Sequence, residues 1–362
     1  MNMLLALALA CTPEAPIGEW LAGDLHVHSS LGSNDTDGLG TPDALGPAME
    51  AAGLDFVFLT DHSNSQGSMD CADVEDCPNQ GPEVTNADWP GGAWLASEIS
   101  PVESLGTTFE PTGHTGCLPL DGASFPDLEA FIDRPPGAVT GGEGVAQCKD
   151  HSGFAILNHP YAAAGWIAYD WTSEDFDAVE VYNGTLRFDA WDAQGLAAWE
   201  ERVSAVGGPG AAPVAVGGSD SHRWGTPAPG DALNPALGWP ITWIHLREAE
   251  LPIDAIAAGR VVIAEPGSAL SFAAEGGREL VGPGESVEGP ATLTITASSE
   301  MSGMVLEVRL VAGDAVYSEP LSGEVTATIE VERGAYYARI WPEGEVESEQ
   351  GGVAISNPIW VE

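Results

Sequence analysis

Lysine is almost missing from this chain. Lys149 is the only one, and Lys and Arg together number 11 against 55 Asp and Glu, a formal net charge of 11 − 55 = −44. So acidic a field repels polyanions, which excludes nucleic acid and an anionic membrane surface as expected partners. Histidine is scarce as well, at eight in 362 residues, so the place of each one carries information. No stretch reaches the ~20 consecutive apolar residues of a membrane-spanning helix. No GxSxG elbow occurs, which removes the serine-nucleophile route of the α/β-hydrolases. The five cysteines show no CxxC spacing, so a thiolate metal knuckle is excluded.

What is present begins with 44% apolar residues, enough for a sizeable core. The length favours two domains, or one barrel of about 250 residues with an extension. The opening MNMLLALALAC resembles a bacterial lipoprotein signal, in which a small residue, here Ala10, precedes a lipidated cysteine, here Cys11. It lacks the usual positive charge before the apolar run. Residues 1–20 are therefore expected to be a signal and short linker. That places the protein outside the cytoplasm, periplasmic or on the cell surface, touching the membrane only through the anchor at Cys11. The other cysteines are even in number, as an oxidising compartment favours. Cys71 and Cys77 bracket the polar loop CADVEDC and would close a small ring, leaving Cys117 with Cys148 as the natural second pair. Four free thiols in a cytosolic enzyme are the alternative.

Short apolar runs alternate with Gly-, Pro- and Ala-rich segments after Pro16. TPDALGPAMEAAG reads as a helix with Thr41 as N-cap, Pro42 at its first position and Gly53 as its stop. LDFVFLTDH, AWLASEIS, FAILNHP, AVEVYNG and PVAVGGSDSH read as strands, and their near-unbroken apolar character suggests a parallel sheet buried on both faces. Beyond Glu265-Pro266-Gly267 histidine disappears and period-two alternation sets in: ATLTITAS, VLEVRLVAG, VTATIEVE, YYARIW. The expected organisation is a catalytic α/β unit over residues 21–267 and an antiparallel β-sandwich over 268–362. Pro358 in SNPIW argues that the closing strand lies at an edge.

The ends of the apolar runs share one property. Asp61-His62, Glu98, His159, and Asp220 with His222 each close a separate run, and barrel folds gather their chemistry where strand ends converge. In DLHVH, His26 and His28 stand two apart, so on a strand they share a face. With His114 in GHTG, six of the eight histidines fall in distinct short motifs; His151 and His245 lie outside them. Each histidine alone is more often a hydrogen-bonded core residue. Together with Glu98 and Asp220 they form a ligand set for two or three borderline metals such as Zn, Mn or Fe, with a carboxylate able to bridge cations ~3.5–4 Å apart.

The order and content of these motifs resemble the polymerase and histidinol phosphatase (PHP) superfamily of metal-dependent hydrolases: DLHVHSS, an acidic DG element in SNDTDG, TDH, SEIS, GHTG, NHP and SDSH. The similarity covers roughly residues 21–265. EVYNG, the Cys-bearing insertion and the AISNPIWV ending look most like the CehA/McbA-type branch, which includes ester and carbamate hydrolases. The resemblance implies a distorted (βα)7 barrel carrying up to three metals. His26, His28, Glu98 and Asp220 would hold one. Glu98 would bridge to a second held by His114 and His159. A third would take His62, His222 and an acid of SNDTDG, Asp37 or Asp35, with Asp37 favoured because it directly precedes Gly38. If neither acid reaches, the site is binuclear. Asp24 and Asp61, beside ligands, would orient imidazoles.

A hydroxide bridging two cations is the implied nucleophile, since coordination lowers water's pKa from 15.7 towards ~7. The metals would also polarise the carbonyl or phosphoryl oxygen. Phosphoester and carboxylester or carbamate bonds are both open. Phosphoester enzymes add cations to grip oxygens, and Arg223, directly after SDSH, is the only one beside a motif; it joins Glu98 as a catalytic candidate. Tyr161, Tyr182, Asn183 and Trp224 are candidate pocket residues. The alternative from another class is a non-catalytic metal- or carbohydrate-binding surface lipoprotein.

Overall fold

The computed structural model describes residues 18–33, 36–62, 89–99, 102–104, 109–111, 113–121, 141–161, 175–184, 187–224, 235–344 and 351–362. Cys11 with the signal segment, Asp35, and the Cys71–Cys77 ring lie outside them.

Strand β1 (Glu19–Val27) starts at the surface and is buried from Ala22 onward. Helix α1 (Pro42–Ala52) begins and ends where its sequence signals stand. Pro42 occupies the first turn, where a missing N–H costs nothing, and Gly53 closes the helix at φ 70°. Thr41 holds the N-cap position but makes no side-chain cap bond. Leu45 and Met49 pack the helix onto the sheet, alongside Ala22, Val57 and Leu59; each such burial is worth roughly 1.5–3 kcal/mol. Strand β2 (Phe56–Leu59) pairs in parallel with β1 and with β3 (Ala93–Leu95).

One residue later the chain resumes as β4 (Ser97–Ile99), which leaves β2 for a different sheet. After the hairpin of β5 (Val102–Ser104) and β6 (Phe109–Pro111) comes β7 (His114–Pro119), antiparallel to β4. Helix α2 (Gly141–Asp150) leads to β8 (Gly153–Asn158), antiparallel to β7. Strand β9 (Ala178–Asn183), helix α3 (Ala190–Ala205) and β10 (Val214–Gly218) complete this sheet with parallel pairings. The two sheets touch through single bridges at their ends, Val27 with Ser221 and His62 with Glu98. Pairing therefore passes from β1 round to β10 and back to β1. The architecture established is a mixed α/β fold dominated by sheet, with four α-helices among the described residues and β7 running against both neighbours.

Strand β11 (Ile241–Leu246), helix α4 (Pro252–Ala257) and β12 (Val261–Ala264) extend the first sheet beyond β1. The remaining strands are β13 (Ser268–Gly276), β14 (Glu279–Val281), β15 (Ser286–Val287), β16 (Ala291–Ser299), β17 (Met304–Leu310), β18 (Ala315–Pro320), β19 (Val325–Val331), β20 (Gly334–Pro342), β21 (Ala354–Ser356) and β22 (Ile359–Val361). β14, β13, β16 and β19 form an antiparallel sheet. Its inward residues Leu293, Ile295 and Ala297 share a core with Leu306, Val308 and Ile340 of the other layer.

That other layer is not separate from the first half of the chain. β21 pairs with β12, so one eleven-stranded sheet runs from β3 through β1 to β20 and β15. Asn357 tightens the join, accepting from Ala215 N–H and donating to Ala215 C=O, both at 2.8 Å. The expected edge position of the closing strand is not found: β22 lies between β15 and β20. Pro358 sits before β22 rather than in it, so its missing N–H costs the ladder nothing. No helix of the described residues is long and apolar enough to cross a membrane.

Candidate metal centre

The strand ends that the two sheets bring together carry the scarce histidines. Strand β10 comes so close to β1 that a Cβ on Gly218 would lie 2.4 Å from His26 Cβ, which only glycine permits. The approach is stitched by Asp220 N–H to His26 C=O at 2.8 Å and His28 N–H to Ser221 C=O at 3.0 Å. His159 and Asp220 hold φ of 29° and 55°, a left-handed region that costs non-glycine residues energy and persists where the surroundings over-determine it.

Six histidines, Glu98 and Asp220 converge, all buried. Four overlapping groups have ligand atoms within 4.8 Å of one another: His26, His28 and Asp220; His26, Glu98 and His159; His62, Glu98 and His114; His28, His62 and His222. Glu98 is the hub. Its Oε1 lies 3.1 Å from His26 Nε2, 3.1 Å from His114 Nδ1 and 3.6 Å from His159 Nε2, and its Oε2 is 2.8 Å from His62 Nδ1. Asp220 Oδ1 is the second junction, 3.3 Å from His26 Nε2 and 3.2 Å from His28 Nε2.

Around these lies a set of partners that fix the imidazoles. Glu180 Oε1 is 3.0 Å from His26 Nδ1, so that nitrogen carries a proton and Nε2 is turned towards Glu98 and Asp220. Glu180 Oε2 also accepts from His159 N–H at 2.8 Å and from Asn183 Nδ2 at 3.0 Å. Asn183 Nδ2 reaches Asp220 Oδ2 at 3.3 Å, and Asn158 Nδ2 donates to Glu98 Oε1 at 2.8 Å. Ser33 Oγ donates to Asp61 and so accepts from His28 Nδ1 at 3.2 Å, which leaves His28 Nε2 as a bare lone pair. His222 Nδ1 donates to the Asp220 carbonyl at 2.9 Å, and its Nε2 stands 3.5 Å from His62 Nε2.

Asp61 thus orients His28 through a serine hydroxyl. Asp24 does something else: its carboxylate accepts from the N–H groups of His26, Ser219 and Gly238, at 3.2, 3.0 and 2.8 Å, and holds backbone rather than imidazole.

The electrostatics follow from burial and crowding. Burial pushes the Asp61 carboxyl up to about 6, against the hydrogen bonds from Ser29 and Ser33. Burial and the neighbouring His222 and His62 charges bring His28 down to about 3, so it is neutral near pH 7. For Glu98 burial acts upward, but His114 and His26 outweigh it and hold the carboxylate well below its usual range. Asp220 is likewise lowered, chiefly by His26 against burial. His26 is driven the other way; burial opposes its charge, and Asp220, Glu180 and Glu98 overcome that.

Eight of the nine expected metal ligands are brought together. The ninth, Asp37, is in none of the four groups; it is half-buried on the loop after β1, where its Oδ1 caps the Leu39 N–H at 2.8 Å. His28 stands with His62 and His222 where the resemblance implied an acid. That loop doubles back, with Ser30 N–H on Gly40 C=O and Gly40 N–H on Ser30 Oγ, which turns Asp37 into loop chemistry. His114 and His159 both approach Glu98 Oε1, though in different groups. Tyr182 is core: it donates to Glu265 at 3.4 Å and packs edge-on against Phe188. Trp224 donates to the His28 carbonyl at 2.8 Å and packs under α1. His151 is exposed, and His245 lies against Trp20 away from the cluster. Glu180 and Asn158 were missed. A lone carboxylate inside the fully buried strand AVEVYN was the available signal, because charges are almost never buried unless paired.

The donor set fits divalent metal. Oriented imidazoles meet two ionised carboxylates, and His28 Nε2 is buried with no hydrogen-bond partner, which suits an atom that ligates a metal.

No protein-family model and no curated protein matches the chain. Among solved structures, a two-domain protein from Bacteroides vulgatus containing a predicted PHP-like metal-dependent phosphoesterase aligns over 96% of this chain and 98% of its own, at 14% identity and a TM-score of 0.47. The lesion-specific endonuclease PfuEndoQ of Pyrococcus furiosus aligns over 67% of this chain and 56% of its own, at 13% identity and a TM-score of 0.39. Endonuclease Q in complex with a 27-mer duplex carrying an abasic lesion gives 0.38. All three scores fall below 0.5, so the functional reading rests on this chain's own residues.

Proposed function

We propose that the protein is a metal-dependent hydrolase of the PHP type, closest to the CehA/McbA-type branch, that cleaves an ester-type bond, phosphoester or carboxylester/carbamate. The carrying observation is the convergence of six buried histidines on Glu98 and Asp220 at the ends of separate strands. The ring of pairings from β1 to β10 is then a distorted version of the (βα)7 barrel. His26, His28 and Asp220 would hold one ion, Glu98 with His114 and His159 a second, and His62 with His222 a third. Bound Zn, Mn or Fe would lower the pKa of water at the site and polarise the oxygen of the bond to be cleaved.

The chain's own contribution is placement and charge. Glu180 keeps a proton on His26 Nδ1, and Ser33 keeps one on His28 Nδ1, so both present Nε2 inward. Glu98 and Asp220, held ionised, balance the cations. Burial of every ligand group excludes bulk water and strengthens these interactions. The strongly acidic composition supports a small-molecule substrate rather than nucleic acid. The Cys117–Cys148 disulfide, formed as expected, supports residence outside the cytoplasm with a lipid anchor at Cys11.

Elemental analysis of purified protein tests the centre. Two or three Zn, Mn or Fe per chain are expected, and under one per chain defeats the multinuclear reading. A panel of p-nitrophenyl phosphate, bis-p-nitrophenyl phosphate, p-nitrophenyl acetate and a naphthyl carbamate, with added Mn or Zn, then identifies the bond.

A further inference from the structure

We infer that Arg223 receives an anionic group of the substrate, so that the site takes an oxyanion-bearing ester in preference to a neutral one. The inference deepens the hydrolase reading and rests on it. In a chain with 55 acids and 11 cations, a guanidinium finds a carboxylate easily. Lys149, Arg187, Arg247, Arg260, Arg309 and Arg339 do, and Arg278 and Arg333, without such a pair among the described residues, stand exposed. Arg223 does neither. It is half-buried, no carboxylate of the described residues pairs with it, and its Nε is buried without a hydrogen-bond partner.

Leaving such a buried donor unmet is costly, the more so on a charged group. Nor is Arg223 loosely placed. His222 on one side stacks on His28 at 4.0 Å between ring centroids, and Trp224 on the other donates to the His28 carbonyl at 2.8 Å. The backbone at Arg223 is thus held beside His28 from both sides, and among the described residues its planar guanidinium fork makes no hydrogen bond. A fork of that kind suits a carboxylate or phosphoryl group, which it can bind through two parallel N–H bonds. The anion can be the scissile phosphoryl group or a carboxylate elsewhere on the substrate; the chemistry at Arg223 is the same.

The test uses the metal-loaded wild type, Arg223→Gln and Arg223→Lys, with metal content and melting temperature measured for each. Three esters separate the cases: bis-p-nitrophenyl phosphate, p-nitrophenyl hydrogen succinate and neutral p-nitrophenyl acetate. The expected result is a drop of at least ~30-fold in the ratio of anionic to neutral kcat/KM for Arg223→Gln, mostly through KM, with partial recovery in Arg223→Lys. A drop on the phosphodiester alone places the anion at the reacting centre; a drop on the succinate alone places it away from it. A ratio within ~3-fold of wild type overturns the inference. So does a wild type that prefers acetate to both anions, which leaves the hydrolase reading intact. Protein that binds no metal overturns both. If none of the esters turns over, titration of inorganic phosphate and of succinate decides: equal affinity in wild type and Arg223→Gln overturns it, weaker affinity in the variant supports it.

Discussion

Glu180→Gln is nearly isosteric, yet the structure says it cannot be absorbed. The carboxylate accepts at both oxygens: His26 Nδ1 at 3.0 Å on one, His159 N–H at 2.8 Å and Asn183 Nδ2 at 3.0 Å on the other. An amide has one acceptor end. If its oxygen stays on His26, its NH2 faces two donors; if it flips, it faces the His26 proton. Either way at least one buried donor is left unmet, at about 1–3 kcal/mol. The negative charge that favours the His26 Nδ1 proton is lost as well. A partner of this kind is typically worth ~10–100-fold in metal affinity, or about 1.4–2.7 kcal/mol. Competition with a chromophoric zinc chelator, run on metal-stripped wild type and variant, reads the affinity directly. The expected result is a Kd for the tightest ion raised ~10–100-fold, with a lower melting temperature in the metal-free variant. Affinity within ~2-fold of wild type would refute the claim that Glu180 fixes the His26 tautomer.

Two further expectations follow from particular groups. In metal-free protein His28 has its folded pKa depressed to about 3, so protonation favours the unfolded chain. Its stabilising effect is intact above ~6.5 and falls away as pH drops towards 3, by about 2 kcal/mol at pH 5. The loss of melting temperature between pH 7 and 5 should therefore be steeper in wild type than in His28→Asn, and equal slopes count against the burial argument. The Cys117–Cys148 bridge closes a sequence separation of 31 residues, which the loop-entropy relation values at about 3–4 kcal/mol. Cys117→Ala with Cys148→Ala should lower the unfolding free energy in urea by that amount; a change under ~1 kcal/mol would show that the unfolded chain gains little freedom.

Most of the clustered residues were legible because Asp61-His62, Glu98, His159 and Asp220 with His222 each stand as polar exceptions closing an apolar run. Helix α1 was legible from Pro42 and Gly53, which act through backbone geometry alone. Glu180 was only half-legible: a carboxylate inside the apolar run AVEVYN signals a buried partner, but it takes the pairing of β9 with β10 to show that the partner is His26. Asp37, singled out by the DG pattern, stays outside the four groups, and its Oδ1 accepts from Leu39 N–H. Pro358 misled because edge position is one way to tolerate proline and standing before the strand is another. The sharing of one sheet between the two halves had no sequence signal, since alternation tells which face is buried but not which strand lies alongside.

That shared sheet bears on when the site is finished. Asn357 pins Ala215 on the strand leading to Asp220, yet it is made 142 residues later. A chain that emerges N-terminus first displays His26 and His28 throughout its own synthesis, while the wall that will enclose them still lacks its clasp. On the proposed reading, cations would meet those imidazoles early and be enclosed once β21 docks on β12. The metal kept would then reflect the compartment in which that last strand arrives, rather than the one in which the histidines first appear.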